Sequence, residues 1–184
     1  AGLVDTRETQ TVAGIVSDFR VVTGQRGRQG IFVLEDGAAR VEASASESVV
    51  QTYRELLKDD ELVIVSGRLQ PGRNGFEARF IVQQVHDLAG ARCRFGRYLH
   101  VAAGLPPPEV GRLLREFPAR TESTEHGDLQ QGLRVRLSLR CMQGGEGAAA
   151  EVQLGDAFRV YPSDAALAAW RAQAAGGAVA VVYD

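Results

Sequence analysis

Asp36-Gly37 stands between two short β-rich runs, Ile31 to Leu34 and Arg40 to Ala45, and an Asp-Gly pair in that setting is a strong short-range signal for a two-residue hairpin. The run before it, Val12 to Val22, is longer and holds Gly14. A glycine inside a strand marks a bend, a bulge or a close backbone approach. Between these runs, Thr23-Gly24-Gln25-Arg26-Gly27-Arg28-Gln29-Gly30 has three glycines, two arginines and no acid, which predicts a mobile, locally positive loop. Thr11 to Ala45 therefore predicts three consecutive antiparallel strands.

The chain then changes period. Val49, Val50, Tyr53, Leu56 and Leu57 recur at the spacing of one helical face, so a helix capped by Ser46 is predicted through Lys58. Leu62 to Leu69 is a near-continuous apolar strand with Gly67 near its end. Asn74-Gly75 supplies a turn into a strand where Phe76, Ala78, Phe80 and Val82 alternate with Glu77, Arg79, Ile81 and Gln83. Three strands, a helix and two strands within about 75 residues fit the OB-fold, a five-stranded Greek-key barrel. Residues 11–88 are assigned to it, with residues 1–10 a polar lead-in.

An OB-fold binds oligonucleotides on its second and third strands, between the loops joining strands one to two and four to five. Here those loops are Thr23 to Gly30 and Pro71 to Gly75. The candidate nucleic-acid-binding residues are Arg20, Arg26, Arg28, Arg40, Arg68, Arg73 and Arg79 as phosphate contacts. Phe32 is the candidate base-stacking platform, with Phe19, Phe76 and Phe80 as other aromatics in reach. Glu35, Asp36 and Glu42 lie on the same hairpin and dilute the positive charge.

A second unit is placed at residues 91–184. Ala91 to Arg97 reads as a basic connector and Tyr98 to Ala102 as a short strand. Pro106-Pro107-Pro108 opens a helix whose Val110, Leu113, Leu114 and Phe117 share one face before Pro118 stops it. Arg120 to Gln131 reads as polar loop. Leu133 to Cys141 alternates apolar residues with Arg134, Arg136, Ser138 and Arg140, a half-buried strand with a basic outer face. Ala149 to Leu154 returns, and Phe158 to Tyr161 adds another strand. Ser163 caps a helix that buries Leu167 and Trp170, Gly176-Gly177 ends it, and Ala178 to Tyr183 is a last strand. The fold class is thus β plus α+β: the barrel followed by a small α+β domain.

With 23 acids against 21 bases, binding to a polyanion has to rest on local patches. All but one of the basic residues are arginine, the side chain suited to bidentate phosphate contacts, a bias that a GC-rich coding sequence also produces. Cys93 and Cys141 belong to no C-x-x-C pair, and His86, His100 and His126 have no metal-ligand spacing. No cofactor or metal is therefore expected. Gly24, Gly27 and Gly30 are spaced like a phosphate loop, but no Lys-Ser/Thr follows and a strand comes next. Asp59-Asp60-Glu61 reads as a solvated turn. No catalytic constellation is found, and no membrane segment or signal peptide, so a soluble, cytoplasmic protein is expected. The start at Ala1, without Met, suggests a fragment of a longer chain.

Several stretches carry a resemblance: Val12-Ala13-Gly14-Ile15-Val16, the glycine loop to Gly30, Phe32-Val33-Leu34-Glu35-Asp36, Leu62-Val63-Ile64-Val65-Ser66-Gly67, and Phe158-Arg159-Val160-Tyr161-Pro162-Ser163-Asp164. Together they resemble the C-terminal region of the bacterial replicative DNA polymerase III alpha subunit, over essentially the whole chain. The resemblance implies a DNA-directed DNA polymerase whose Mg2+-binding palm and main clamp-binding motif lie upstream of this sequence. What remains is a single-stranded-DNA-binding OB domain and a domain that docks the tau subunit of the clamp loader. The beta sliding clamp is a further candidate partner, although Ala178 stands where some members begin a clamp-binding motif with Gln. The family's loop often reads Thr-Lys-Arg-Gly where this chain has Thr23-Gly24-Gln25-Arg26-Gly27, which implies lowered DNA affinity. Two alternatives remain open for the OB half: a protein-interaction or spacer module, and a tRNA-binding OB domain such as synthetases carry.

Overall fold

A computed structural model describes residues 8–24, 27–72, 78–103, 107–124, 127–143 and 146–183. The chain divides into two compact units between Leu88 and Ala89.

In the first unit, β1 (Gln10–Gly24), β2 (Gly27–Glu35), β3 (Arg40–Ser46), β4 (Leu62–Gln70) and β5 (Arg79–His86) close a barrel in the order β1-β2-β3-β5-β4. The β3–β5 pairing is parallel and the others are antiparallel. Alternation sends Val16, Phe32, Leu34, Ala43, Ala45, Val63, Val65, Phe80 and Val82 inward, where they form one apolar cluster. Gly14 and Gly67 are points of close approach. A Cβ on Gly14 would lie 3.2 Å from Glu35 N, and one on Gly67 would lie 2.1 Å from the Ile81 carbonyl oxygen.

The expected loop from Thr23 to Gly30 is instead almost entirely paired ribbon, with Val21↔Gly30, Val22↔Gln29, Thr23↔Arg28 and Gly24↔Gly27 in register. The glycines serve pairing and packing. Gly27 has φ +94° at the tip. A Cβ on Gly30 would lie 2.7 Å from Val50 Cγ2, so glycine lets the helix settle on the ribbon.

That helix, α1, is shorter than its apolar spacing predicts. It spans Glu47–Thr52, with Ser46 Oγ accepting the Val49 N–H, and the backbone leaves helical geometry at Tyr53. Turns then carry Leu57 into the barrel core. The Asp60 N–H donates to the Val16 carbonyl and the Val16 N–H to the Glu61 carbonyl, both at 2.9 Å. A helix continued to Lys58 could not make this connection to β1.

In the second unit, β6 (Gly96–Ala103), β9 (Arg134–Gln143), β10 (Glu146–Gln153) and β11 (Val179–Tyr183) form a sheet ordered β10-β9-β6-β11. β6 and β9 are parallel, joined through α3 (Pro107–Glu116) and a small hairpin of β7 (Arg120–Thr124) and β8 (Gly127–Gln131). Leu99, Val101, Val135, Leu137 and Val179 of the sheet pack with Val110 and Leu113 of α3 and with Leu167 and Trp170 of α4 (Asp164–Gln173).

Three expectations are corrected here. The connector at Ala91 to Arg97 is instead the end of a helix, α2 (Leu88–Phe95), and the first residues of β6, and the helix is tied down by Arg92, whose guanidinium donates to the Pro162 carbonyl at 2.9 Å and pairs with Asp164 at 2.7 Å. The polar loop at Arg120 to Gln131 is the β7–β8 hairpin, which its composition conceals because its strands carry few apolar residues. The strand at Phe158 to Tyr161 is a 3-10 turn at Asp156–Phe158 followed by extended chain, with Val160 bridged to Pro118 and Leu133.

Candidate nucleic-acid interface

Strict alternation along β1 would bury Arg20, because Gly14 and Val16 point inward at even positions. The strand avoids this with a one-residue bulge. Pairing passes from Ser17↔Val33 to Arg20↔Ile31, so two residues of β1 stand opposite one of β2. Asp18 takes φ 55°, a left-handed conformation that aspartate tolerates better than most residues. The Phe19 N–H donates to the Asp59 carboxylate at 2.9 Å. Past the bulge the phase is inverted: Phe19 packs on the core and Arg20 is exposed. The run Asp59-Asp60-Glu61, read as a solvated turn, is thus what stitches β1 to the turn before β4.

Register then lines up Arg20, Ile31, Ser44, Ile81 and Arg68 as one row across the outer face of five strands. Adjacent strands lie about 4.8 Å apart, so the two exposed arginines flank a row with no acid, whose central Ile31 and Ser44 are buried at 5% and 7% exposure and whose Ile81 is half-buried. The next row reads Ser17, Val33, Glu42, Arg79 and Gln70, and there Arg79 is ion-paired with Glu42. A third holds Ile15, Glu35 and Arg40. Its Arg40 lies 3.7 Å from Glu35, which also accepts a 2.6 Å hydrogen bond from Ser17 Oγ. Among the described residues, Arg20 and Arg68 have no ion-pair partner, so the uncompensated charge of the face is concentrated in its first row.

Arg28 does not share this face. It has the inward phase of β2 and lies beyond the barrel, beside α1, where it lines a cavity of about 80 Å³ with Val50 and Gln51 and sits 3.9 Å from Glu47. Phe32 corrects the expectation of a stacking platform: it is 0% exposed, and its ring lies 6.1 Å from that of Phe19. Phe80 is equally buried. Arg26, Arg73 and Phe76 fall outside the described residues. Sequence reasoning missed Asp18 and Asp59, which position Arg20 without facing a ligand. The one available signal was the strand's failure to alternate around Asp18.

Among the described residues, no group of three or more His, Cys, Asp or Glu gathers as a metal site would, and no helix is long and apolar enough to cross a membrane.

Comparison with known proteins places this geometry. Residues 10–88 match the family model of the OB-fold nucleic acid binding domain. DNA polymerase III subunit alpha of Pseudomonas fluorescens is 27% identical over 168 residues, 91% of this chain and 14% of the relative. Its counterpart in Vibrio cholerae is 29% identical over 161 residues, 87% of this chain and 13% of its own. Among solved structures, the SSB domain of a Synechococcus sp. protein matches with a TM-score of 0.39 at 19% identity, covering 44% of this chain and 96% of that one. The chain spans about 14% of the length of the curated relatives it matches. It is therefore homologous, over most of its own length, to a stretch of DNA polymerase III subunit alpha, and its residues 10–88 are an OB-fold domain.

Proposed function

We propose that this chain is the C-terminal part of a bacterial replicative DNA polymerase III alpha subunit. In this reading its barrel binds single-stranded template DNA, and its second unit docks the tau subunit of the clamp loader in the cytoplasm. In this reading the polymerase chemistry and its Mg2+ belong to the preceding part of such a subunit. The observation that carries the DNA role is the row from Arg20 to Arg68. Two unpaired guanidinium groups border an acid-free strip that runs across the strands on the side where OB-folds take oligonucleotides. Arg40 and Arg79 are secondary contacts, since a phosphate must first displace Glu35 or Glu42. Arg28 acts at the ribbon tip.

The test is binding of the intact chain to a labelled single-stranded oligonucleotide. Arg20→Glu with Arg68→Glu is expected to weaken binding strongly and to make its salt dependence shallower, whereas Arg40→Glu with Arg79→Glu weakens it less. Equal effects would contradict the assignment. For tau, the intact chain is expected to co-elute with the purified tau subunit, and separate elution would contradict docking. Truncation after Asp156 is unsuitable, because it removes Trp170 and Val179 from the core.

A second reading has its own observation. Residues 1–88 carry 13 acids against 10 bases, and Arg28, Arg40 and Arg79 already face acids. A barrel of that character serves as a protein-interaction or spacer module, and absence of oligonucleotide binding even at low salt would establish that reading.

A further inference from the structure

Among the described residues, the row from Arg20 to Arg68 on the barrel holds no aromatic ring, whereas the second unit carries a half-buried one, Tyr98, on the polar face of its sheet. The sheet of that unit is apolar on one face only. Leu99, Val101, Val135, Leu137 and Val179 turn toward α3 and α4. By alternation, the other face presents Tyr98 and His100 from β6 and Arg134, Arg136, Ser138 and Arg140 from β9. Register sets Arg134 beside Tyr98 and Arg136 beside His100 on adjacent parallel strands.

The side chains are held in place. The guanidinium carbon of Arg136 lies 3.9 Å from the Tyr98 ring centroid, and the group donates to Gln153 Oε1 at 3.2 Å. His100 Nε2 and Ser138 Oγ are hydrogen-bonded at 2.7 Å. Arg134 binds Asp156 through two hydrogen bonds, at 2.7 and 3.2 Å. The acid nearest Arg136 is Glu151, at 3.9 Å, and Arg140 is exposed with no ion-pair partner among the described residues. The arginines recur every second residue of β9, about 6.6 Å apart, a spacing of the order of that between neighbouring phosphates of an extended strand. Residues 89–184 also hold the chain's surplus of base, with 11 arginines against 10 acids.

We infer that this polar face of β6 and β9 is a second binding surface for single-stranded nucleic acid, separate from the barrel. A base stacks on the Tyr98–Arg136 pair, because rings and guanidinium planes both accept any base. Arg140 and Arg134 take the flanking phosphates, the latter by exchanging its carboxylate partner. His100 and Ser138 stiffen the centre of the platform.

The experiment measures binding of the intact 184-residue chain to labelled oligo-dT and oligo-rU of equal length across a salt series. Arg134→Ala with Arg140→Ala is expected to weaken binding and to make the salt slope shallower by about 1.4, at roughly 0.7 for each phosphate no longer neutralised. Tyr98→Leu and Arg136→Lys keep the charge and remove the stack. Each is expected to weaken binding about tenfold with an unchanged slope. Which oligonucleotide binds more tightly identifies DNA or RNA as the source of the strand. Unchanged Trp170 fluorescence shows that each variant is folded. The same reductions in affinity are expected in an Arg20→Ala, Arg68→Ala background, so failure of the barrel site leaves this result readable. Wild-type affinity and slope in all three variants would overturn the inference, as would an intact chain that binds neither oligonucleotide.

Discussion

The carboxylate of Asp59 accepts the main-chain N–H of Phe19 at 2.9 Å, across 40 residues of sequence. This bond holds the bulge that turns Arg20 out of the barrel, so a residue with no ligand to touch decides where a binding residue points. Asp59→Ala is expected to cost about 1 kcal/mol, toward the low end for a charge-assisted hydrogen bond because the site is exposed. Asp18→Val, which forces a β-branched residue into φ 55°, is expected to cost about 1–2 kcal/mol. Chemical denaturation measures both. Asp18→Gly keeps the conformation and is expected to keep the stability.

Gly67 and Gly24 make a matched pair for testing close packing. A Cβ at Gly67 meets the Ile81 carbonyl oxygen at 2.1 Å, whereas one at Gly24 meets nothing within 4 Å. Gly67→Ala should therefore destabilise the barrel by about 1–3 kcal/mol, read from the denaturation midpoint, and Gly24→Ala should leave it unchanged. Equal midpoints would mean that β4 and β5 are not this close.

Trp170 is the chain's single tryptophan and is 0% exposed in the core of the second unit. Its indole Nε1 has no hydrogen-bond partner among the described residues. Its emission is expected to be blue-shifted in the native state and to shift red only when residues 89–184 unfold. Trp170→Phe should cost far less than the roughly 3–5 kcal/mol of Trp170→Ala, because the indole N–H gives up no hydrogen bond.

Arg134 first, and Arg159 second, hold the Asp156 carboxyl below the ordinary carboxylate pKa by hydrogen bonding to its charged form. A lowered pKa in the fold means that the contribution is complete above the unfolded value of roughly 3.9. It is lost as pH falls through the lower, folded value. The gap in thermal midpoint between the wild type and Asp156→Asn is expected to be full at neutral pH and to close in strong acid. A gap independent of pH would place the effect elsewhere.

What could be read in the sequence follows the physics of each signal. The Ser46 and Ser163 caps and the face of α3 rest on neighbours in sequence, and they stand in the structure as local chemistry dictates. A hairpin also forms at Asp36-Gly37, but four residues, 36–39, separate the paired Glu35 and Arg40, and the Asp36 carboxylate accepts the Ala38 and Ala39 N–H groups in place of a two-residue turn. The bulge at Asp18, the early end of α1 and the burial of Phe32 depend on partners dozens of residues away. The phase of β1 beyond Ser17 is set partly by Asp59, which no pattern within the strand reveals. The hairpin of β7 and β8 escaped because polar strands lack the alternation that marks a half-buried one. Of the candidate arginines, composition could nominate the set, but only register separates Arg20 and Arg68 from the partnered Arg40 and Arg79.

The most direct test of the DNA-binding account is the salt dependence of oligonucleotide binding by the intact chain, compared with its Arg20→Ala, Arg68→Ala variant. If the row from Arg20 to Arg68 contacts phosphates, the plot of log K against log salt should become shallower by about 1.4 in the variant, from two phosphates at roughly 0.7 each on a single strand. A variant that binds with the wild-type slope would contradict the account and leave the barrel as a spacer.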